Sequence, residues 1–205
     1  MKITLSDAGK RFNRDWIFRH FTYSFESGKS YAITGPNGSG KSTLLQVLSG
    51  GMHMNEGTIQ YSIQDTPRSI DTIFRHVSIC APYLELVEEM TLREFLEFHQ
   101  GFKPFLQGIT IDSIMTTLGL EKAVDKQIRY YSSGMKQRVK LAQCVFSNTA
   151  IVLLDEPGTN LDAAGMELYQ AMIREYCSDR LVVVSSNDKV EYSFCDEIVN
   201  ITDYK

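Results

Sequence analysis

The chain has 205 residues, 21 Lys and Arg against 25 Asp and Glu, a formal net charge of -4 and 43% hydrophobic residues. At roughly 150 residues per domain this is one unit, long enough to bury a core without staples, and its acidity excludes a dominant nucleic-acid binder. Cys80, Cys144, Cys177 and Cys195 lie far apart with no CxxC pair, which excludes a disulfide framework and a Cys-rich zinc site and suits a reducing cytosol.

No apolar run approaches the roughly 20 residues that span a bilayer. The start, Met1-Lys2-Ile3-Thr4-Leu5, lacks the apolar core of a signal peptide. The expectation is a cytoplasmic protein that reaches a membrane only through another protein. Near the start, Trp16 within Asn13-Arg14-Asp15-Trp16-Ile17 reads as hairpin packing.

Ser30–Thr34 reads as a short buried strand. Gly35-Pro36-Asn37-Gly38-Ser39-Gly40-Lys41-Ser42 follows and matches GxxxxGK[ST] in full. Thr43 continues into a helical pattern that ends at Gly50-Gly51. Glycines let a loop curl so that its amides face phosphate oxygens, and the next helix adds the positive end of its dipole. Lys41 then reaches the β- and γ-phosphates, and the Ser42 hydroxyl holds Mg²⁺.

A strand over residues 76–80 leads to Ala81-Pro82-Tyr83-Leu84-Glu85. Glu85, Glu88 and Glu89 form an acidic run that reads as a solvated face, or as one facing a partner or the nucleotide. Thr91 with Glu94 is a capping box, and Leu92, Phe95, Leu96 and His99 line one helical face. Ile111, Ile114, Met115 and Leu118 form a second stripe, closed by Gly119. Residues of about 83–135 therefore read as a helical insert between two α/β portions.

Residues 150–154 form a second buried strand that ends in Asp155-Glu156-Pro157. Asp155 is placed to hold Mg²⁺ and Glu156 to polarise an attacking water as general base. Met166, Tyr169, Ile173 and Tyr176 mark a helix, and residues 181–184 and 197–201 two more strands. Strands alternating with helices predict an α/β fold with a mostly parallel sheet and its chemistry at the strands' carboxyl ends. His20, His53, His76 and His99 have no ligand spacing and read as structural or surface residues.

Tyr131-Ser132-Ser133-Gly134-Met135-Lys136-Gln137-Arg138 resembles the LSGGQxQR signature of ABC-type ATPases. Thr159-Asn160-Leu161-Asp162 is similar to that family's D-loop, and the order of motifs looks like its nucleotide-binding domain over essentially the whole chain. The resemblance implies a P-loop NTPase fold with a small N-terminal antiparallel β portion. Residues 1–82 and about 136–205 form the core, and about 83–135 the helical subdomain, in one domain of residues 1–205. It implies ATP and Mg²⁺ as cofactors, and Phe12 as an aromatic that stacks on adenine.

It also implies a homodimer, or a pair with a related subunit, that closes head to tail on two ATP. Ser132, Ser133, Gly134 and Met135 of one copy then cover the ATP on the other's P-loop. The stroke passes to a separate transmembrane permease, so the protein sits at the inner face of the cell membrane. Nucleic acid is not an expected partner. Two other readings stand beside this one: a degenerate cassette that binds ATP and regulates a complex, and a soluble cassette without a membrane partner.

Three departures from the family pattern bear on turnover. Ser133 replaces a glycine, which costs energy where that position is left-handed. Pro82 stands where the family has a Mg²⁺-binding Gln, with Glu85 the nearby substitute. Asn187 stands where it has a switch histidine; its amide can donate to a γ-phosphate oxygen but cannot carry charge. The expected result is lower turnover.

Overall fold

The computed structural model describes residues 1–205. Two strands set its architecture because both of their faces are apolar. They are β7 (Ile151–Asp155) and β8 (Leu181–Ser185), every residue of which is buried. Ile151, Leu153, Leu181 and Val183 point into one core and Val152, Leu154, Val182 and Val184 into another. A strand apolar on both sides must lie inside a layered sheet. Each of these side chains contributes roughly 1.5–3 kcal/mol by leaving water.

The sheet has five parallel strands in the order β6-β7-β8-β3-β9, where β3 is Ser30–Thr34, β6 Val77–Cys80 and β9 Glu197–Asn200. Asp155 and Ile33 both lie level with Ser185, and Cys80 lies level with Leu154. Four segments distant in sequence therefore leave the sheet at one edge. A second, antiparallel sheet has the order β2-β1-β4-β5 and comprises β1 (Lys2–Phe12), β2 (Asp15–Glu26), β4 (Glu56–Ile63) and β5 (Thr66–Arg68). It closes one core over α1 (Lys41–Leu48) through Ile3, Leu5, Phe18, Phe21 and Phe25. On the β1–β2 hairpin, Trp16 packs against Gly9 between the guanidiniums of Arg11 and Arg19, at 5.4 and 4.5 Å from its ring.

The other core is roofed by α2 (Leu92–Gln100), α3 (Ile111–Leu118), α4 (Ser133–Phe146) and α5 (Ala163–Tyr176). The Thr91–Glu94 capping box is formed, and Gly119 ends α3 in the left-handed region at φ 66°. Thr110 and Ser113 form a second box on α3. Arg180 is buried without a carboxylate. Its guanidinium instead donates to the carbonyls of Val145, Ser147 and Thr149, which closes the end of α4 and fixes the turn into β7. No helix is long and apolar enough to cross a membrane.

The histidines take separate places. His20 pairs with Asp7 on the surface at 2.7 Å. His99 stacks between Phe95 and Phe105, and its Nε2 lies 2.8 Å from Ser147 Oγ. Ser147 spends its proton on the Gln143 carbonyl at 2.6 Å, so His99 Nε2 is the donor. Burial, helped by the Lys103 charge, pushes His99 from 6.5 down to about 4. Between these values the unfolded chain binds a proton that the native state refuses. Stability from this site is complete above pH 6.5 and is lost as pH falls toward about 4. His99→Phe keeps the stacking and removes the titration. Its melting temperature is expected to fall roughly 2–4 °C less than that of the wild type between neutral pH and about pH 5, as read by thermal denaturation.

Candidate functional site

The loop between β3 and α1 curls because three of its glycines have positive φ: Gly35 at 141°, Gly38 at 76° and Gly40 at 106°. Gly40 is the tightest. A Cβ there would lie 2.1 Å from Ile17 Cγ2 of β2, so the antiparallel sheet presses on the loop's base. Lys41 is 5% exposed, and its Nζ donates to the Gly35 carbonyl at 2.7 Å, folding the ammonium over the loop. Ser42 is exposed and Thr43 half-buried in the first turn of α1. Ser39 Oγ is buried without a partner inside the curl.

At the end of β7, Asp155 is 2% exposed and its Oδ1 has no hydrogen-bond partner. A buried carboxylate oxygen with no donor is costly unless something binds it. With the Ser42 hydroxyl and Lys41 on the segment that leaves the same sheet edge, that donor set fits a hard cation with bound phosphate. Glu156 is exposed and holds a φ of 45°, with its N–H on the Ser185 carbonyl at 2.8 Å. The positive φ turns the chain sharply off the strand and puts this carboxylate outside the sheet edge.

After β8, Asn187 Nδ2 donates to Asn37 Oδ1 of the glycine loop at 2.8 Å. Residues 150 positions apart are thus in contact, and the amide that the sequence analysis assigned to γ-phosphate sensing lies on the loop itself. After β6, Pro82 is exposed. Glu85 lines cavities with Lys136 and Lys140 and with Phe95 and Phe98, and none of these residues belongs to the glycine loop. Tyr83 of this segment is half-exposed. Burial pushes its phenol up, the Gln46 side chain of α1 opposes that shift, and the charge of Asp155 adds to it.

The signature segment sits elsewhere. Ser132 caps α4 by accepting from the Met135 N–H at 3.2 Å, which leaves its own proton free. Ser133 has no positive φ, so the strain expected of a residue replacing glycine does not arise. Ser132, Ser133, Gly134 and Met135 line a cavity with Arg138 and Asn160, and no residue of 35–42 reaches it. A single copy leaves the two halves of the expected nucleotide site apart. Phe12 ends β1, 46% exposed, with Lys10 Nζ 5.1 Å from its ring centre.

The acidic run is more than a solvated face. Glu88 binds Lys136 of α4 at 2.6 Å, which ties this loop to the signature helix, and Glu89 lies 3.8 Å from Arg129 in the turn before that helix. Two further residues were not singled out by sequence. Gln137 is buried on α4 and donates to the Pro157 carbonyl at 2.8 Å. Glu191 is 6% exposed and accepts from the Gly158 N–H at 2.9 Å. Gln137 was visible only as one letter of the signature, and nothing in the sequence around Glu191 marks it.

A family model described as ABC transporter matches residues 18–159. The chain belongs to this family. It is an ATP-binding subunit of the ABC-type ATPases, and the cassette has relatives along its full length. It is 31% identical to the tungstate uptake system ATP-binding protein TupC of Peptoclostridium acidaminophilum, over 97% of this chain and 94% of that protein. It is 27% identical to the ABC transporter ATP-binding protein YhcH of Bacillus subtilis (strain 168), over 96% of this chain but 65% of YhcH, so it spans about two thirds of that relative's length. Its fold matches a bacterial ABC transporter cassette solved as a dimer, with a TM-score of 0.80 and 21% identity over 97% of this chain and 94% of the other.

The close approach of Ile17 to Gly40 gives a direct check on the loop. Gly40→Ala places a Cβ against Ile17 at a φ that costs an L-residue about 1–3 kcal/mol. The expected outcome is at least about tenfold weaker ATP binding by calorimetry.

Proposed function

We propose that two copies of the cassette, or one copy and a related subunit, face each other around two ATP molecules and that hydrolysis drives a separate membrane permease. The observation that carries this reading is the meeting of Lys41, Asp155, Glu156 and Asn187 at one sheet edge, with Asn187 in contact with Asn37 of the glycine loop. The separate signature cavity supports the pairing, because phosphate donors aimed away from their own P-loop need a second copy to serve.

In this reading Phe12 offers its ring to the adenine, and the amides of residues 35–42 with Lys41 neutralise the triphosphate. Ser42 and Asp155 hold Mg²⁺, which when bound offsets phosphate charge and fixes the reacting geometry. Glu156 takes the proton of the attacking water, and the Asn187 amide donates to the γ-phosphate. Ser132 and the Gly134 N–H of the facing copy, at the start of α4, close the site. Loss of the γ-phosphate removes the contacts that bridge the pair, which then opens.

We assign the core to residues 1–82 and about 136–205 and the moving helical part to about 83–135. Phe98 on α2 and Phe102 just after it are 50% and 73% exposed, and Phe74 across the Lys103 cavities is 58% exposed. Apolar surface of this kind marks a contact site, and it suits a permease that holds the cassette at the inner face of the membrane.

Lys41→Ala leaves phosphate charge uncompensated and is expected to abolish ATP binding in calorimetry. Glu156→Gln is expected to bind ATP and to lose phosphate release by a factor of about a hundred or more. Phosphate release by Glu156→Gln equal to that of the wild type overturns the assignment of the base. Asn187→His is expected to match or exceed the wild type, because a charge-assisted donor replaces a neutral one, a gain on the order of 1 kcal/mol.

A further inference from the structure

One peptide group directly behind Glu156 is held from two sides. The carbonyl of Pro157 accepts from Gln137 Nε2 of the signature helix α4 at 2.8 Å. The N–H of Gly158, on the same peptide plane, donates to Glu191 Oε1 at 2.9 Å. That plane cannot tilt without lengthening one of the two bonds. The fit leaves no slack: a Cβ on Gly158 would lie 2.4 Å from Glu191 Oε1 and 2.4 Å from Met166 Cε.

Glu191 is itself anchored to the segment that carries Asn187. Its N–H donates to the Asp188 carbonyl at 3.0 Å, and its carbonyl accepts the Tyr169 hydroxyl of α5 at 2.9 Å. In the same turn, Ser186 Oγ accepts from the Asp188 N–H at 2.9 Å. The Glu191 side chain is buried, joins no ion pair, and leaves Oε2 without a hydrogen-bond partner. Burial pushes its acid up; Ser186 and the Gly158 amide oppose this, and Asp188 and Glu156 add to it. A buried acid without a cation is a poor structural filler, since an apolar side chain of like size costs less. Its position between the sensor turn and the Gly158 amide gives it a purpose.

We propose that Glu191 is a positioning residue that joins the sensor turn at Asn187 to the Pro157–Gly158 peptide, so that Asn187, Glu156 and the signature helix of one copy shift as a unit. The link rests on the roles given above to Asn187 and Glu156. It acts through the Gly158 amide and does not require Glu191 to touch nucleotide. A displacement of Asn187 on meeting the γ-phosphate then reaches the general base and, through Gln137, the surface offered to the facing copy.

The test is steady-state ATP turnover by the full chain carrying Glu191→Ala, Glu191→Gln, Asn187→Ala, and Asn187→Ala with Glu191→Ala. Glu191→Ala is expected to lower kcat by about tenfold and to change KM for ATP by less than about twofold. Glu191→Gln keeps an acceptor for the Gly158 N–H and is expected to stay within about threefold of the wild type. The double variant is expected to be no worse than the worse single one, because both break the same connection. Equal damage from Ala and Gln, a double variant equal to the product of the singles, or full activity of Glu191→Ala overturns the link.

If Glu191→Ala does not fold, amide exchange at Gly158 in Asn187→Ala decides. Exchange about tenfold faster than in the wild type supports the connection, and unchanged exchange overturns it. Glu156→Gln runs alongside. If it still turns over ATP, the underlying reading of the base fails. If it is inactive while Glu191→Ala is unimpaired, only the link fails.

Discussion

The structure depends on the register of five parallel strands. Ile33, Asp155 and Ser185 lie side by side, so the loops that follow β3, β7 and β8 emerge at one level. In a parallel sheet all carboxyl ends point the same way, and loops at such an edge are where α/β proteins hold ligands. A slip of one strand by a single residue would turn its side chains to the wrong core and carry its loop away from the others. The apolar faces of β7 and β8 fix that register. Residues with no catalytic role, such as Val152 and Val183, therefore set the distance between Asp155 and the glycine loop.

Much of this was legible in the sequence, for local reasons. Ser30–Thr34, the helix at 41–48 and the capped helices at 92–100 and 111–118 announce themselves by apolar period, by a capping residue or by a stop glycine. The strand ahead of Asp155 was predicted from 150 to 154 and runs from Ile151 to Asp155, because the carboxylate still pairs beside Ser185 before the chain turns at Glu156. The antiparallel sheet was expected only from family resemblance. Its first strands carry register shifts between Leu5 and Arg11, which blur the alternation a sequence reader relies on.

The candidate site was legible where its chemistry is contiguous and hidden where it is not. The glycine loop and Asp155-Glu156 are each a single run of residues. The bond from Asn187 to Asn37 and the bonds from Gln137 and Glu191 to one peptide group join segments 20 to 150 residues apart. Nothing in a linear pattern encodes such pairings. The acidic run shows a related limit: its side chains do face solvent, yet the pairing of Glu88 with Lys136 of α4 is a long-range contact that a charge cluster does not announce. Likewise, loss of glycine at 133 matters only if the backbone is left-handed, and α4 begins there in ordinary helical geometry.

The sheet's strand order has a consequence for how the chain acquires its structure. The inner strand β3 appears early in the chain but finds both neighbours late, with Ser30 beside Val182 and Tyr31 beside Glu197. A contact of such separation requires closing a very long loop before any pairing energy is gained. The helices of residues 92–118 rest on local contacts and can form far sooner. During synthesis the strand that leads into the glycine loop therefore lacks both of its parallel partners until β8 and β9 leave the ribosome, and for most of translation its edges stand unpaired, an opening for chaperones and for aggregation alike.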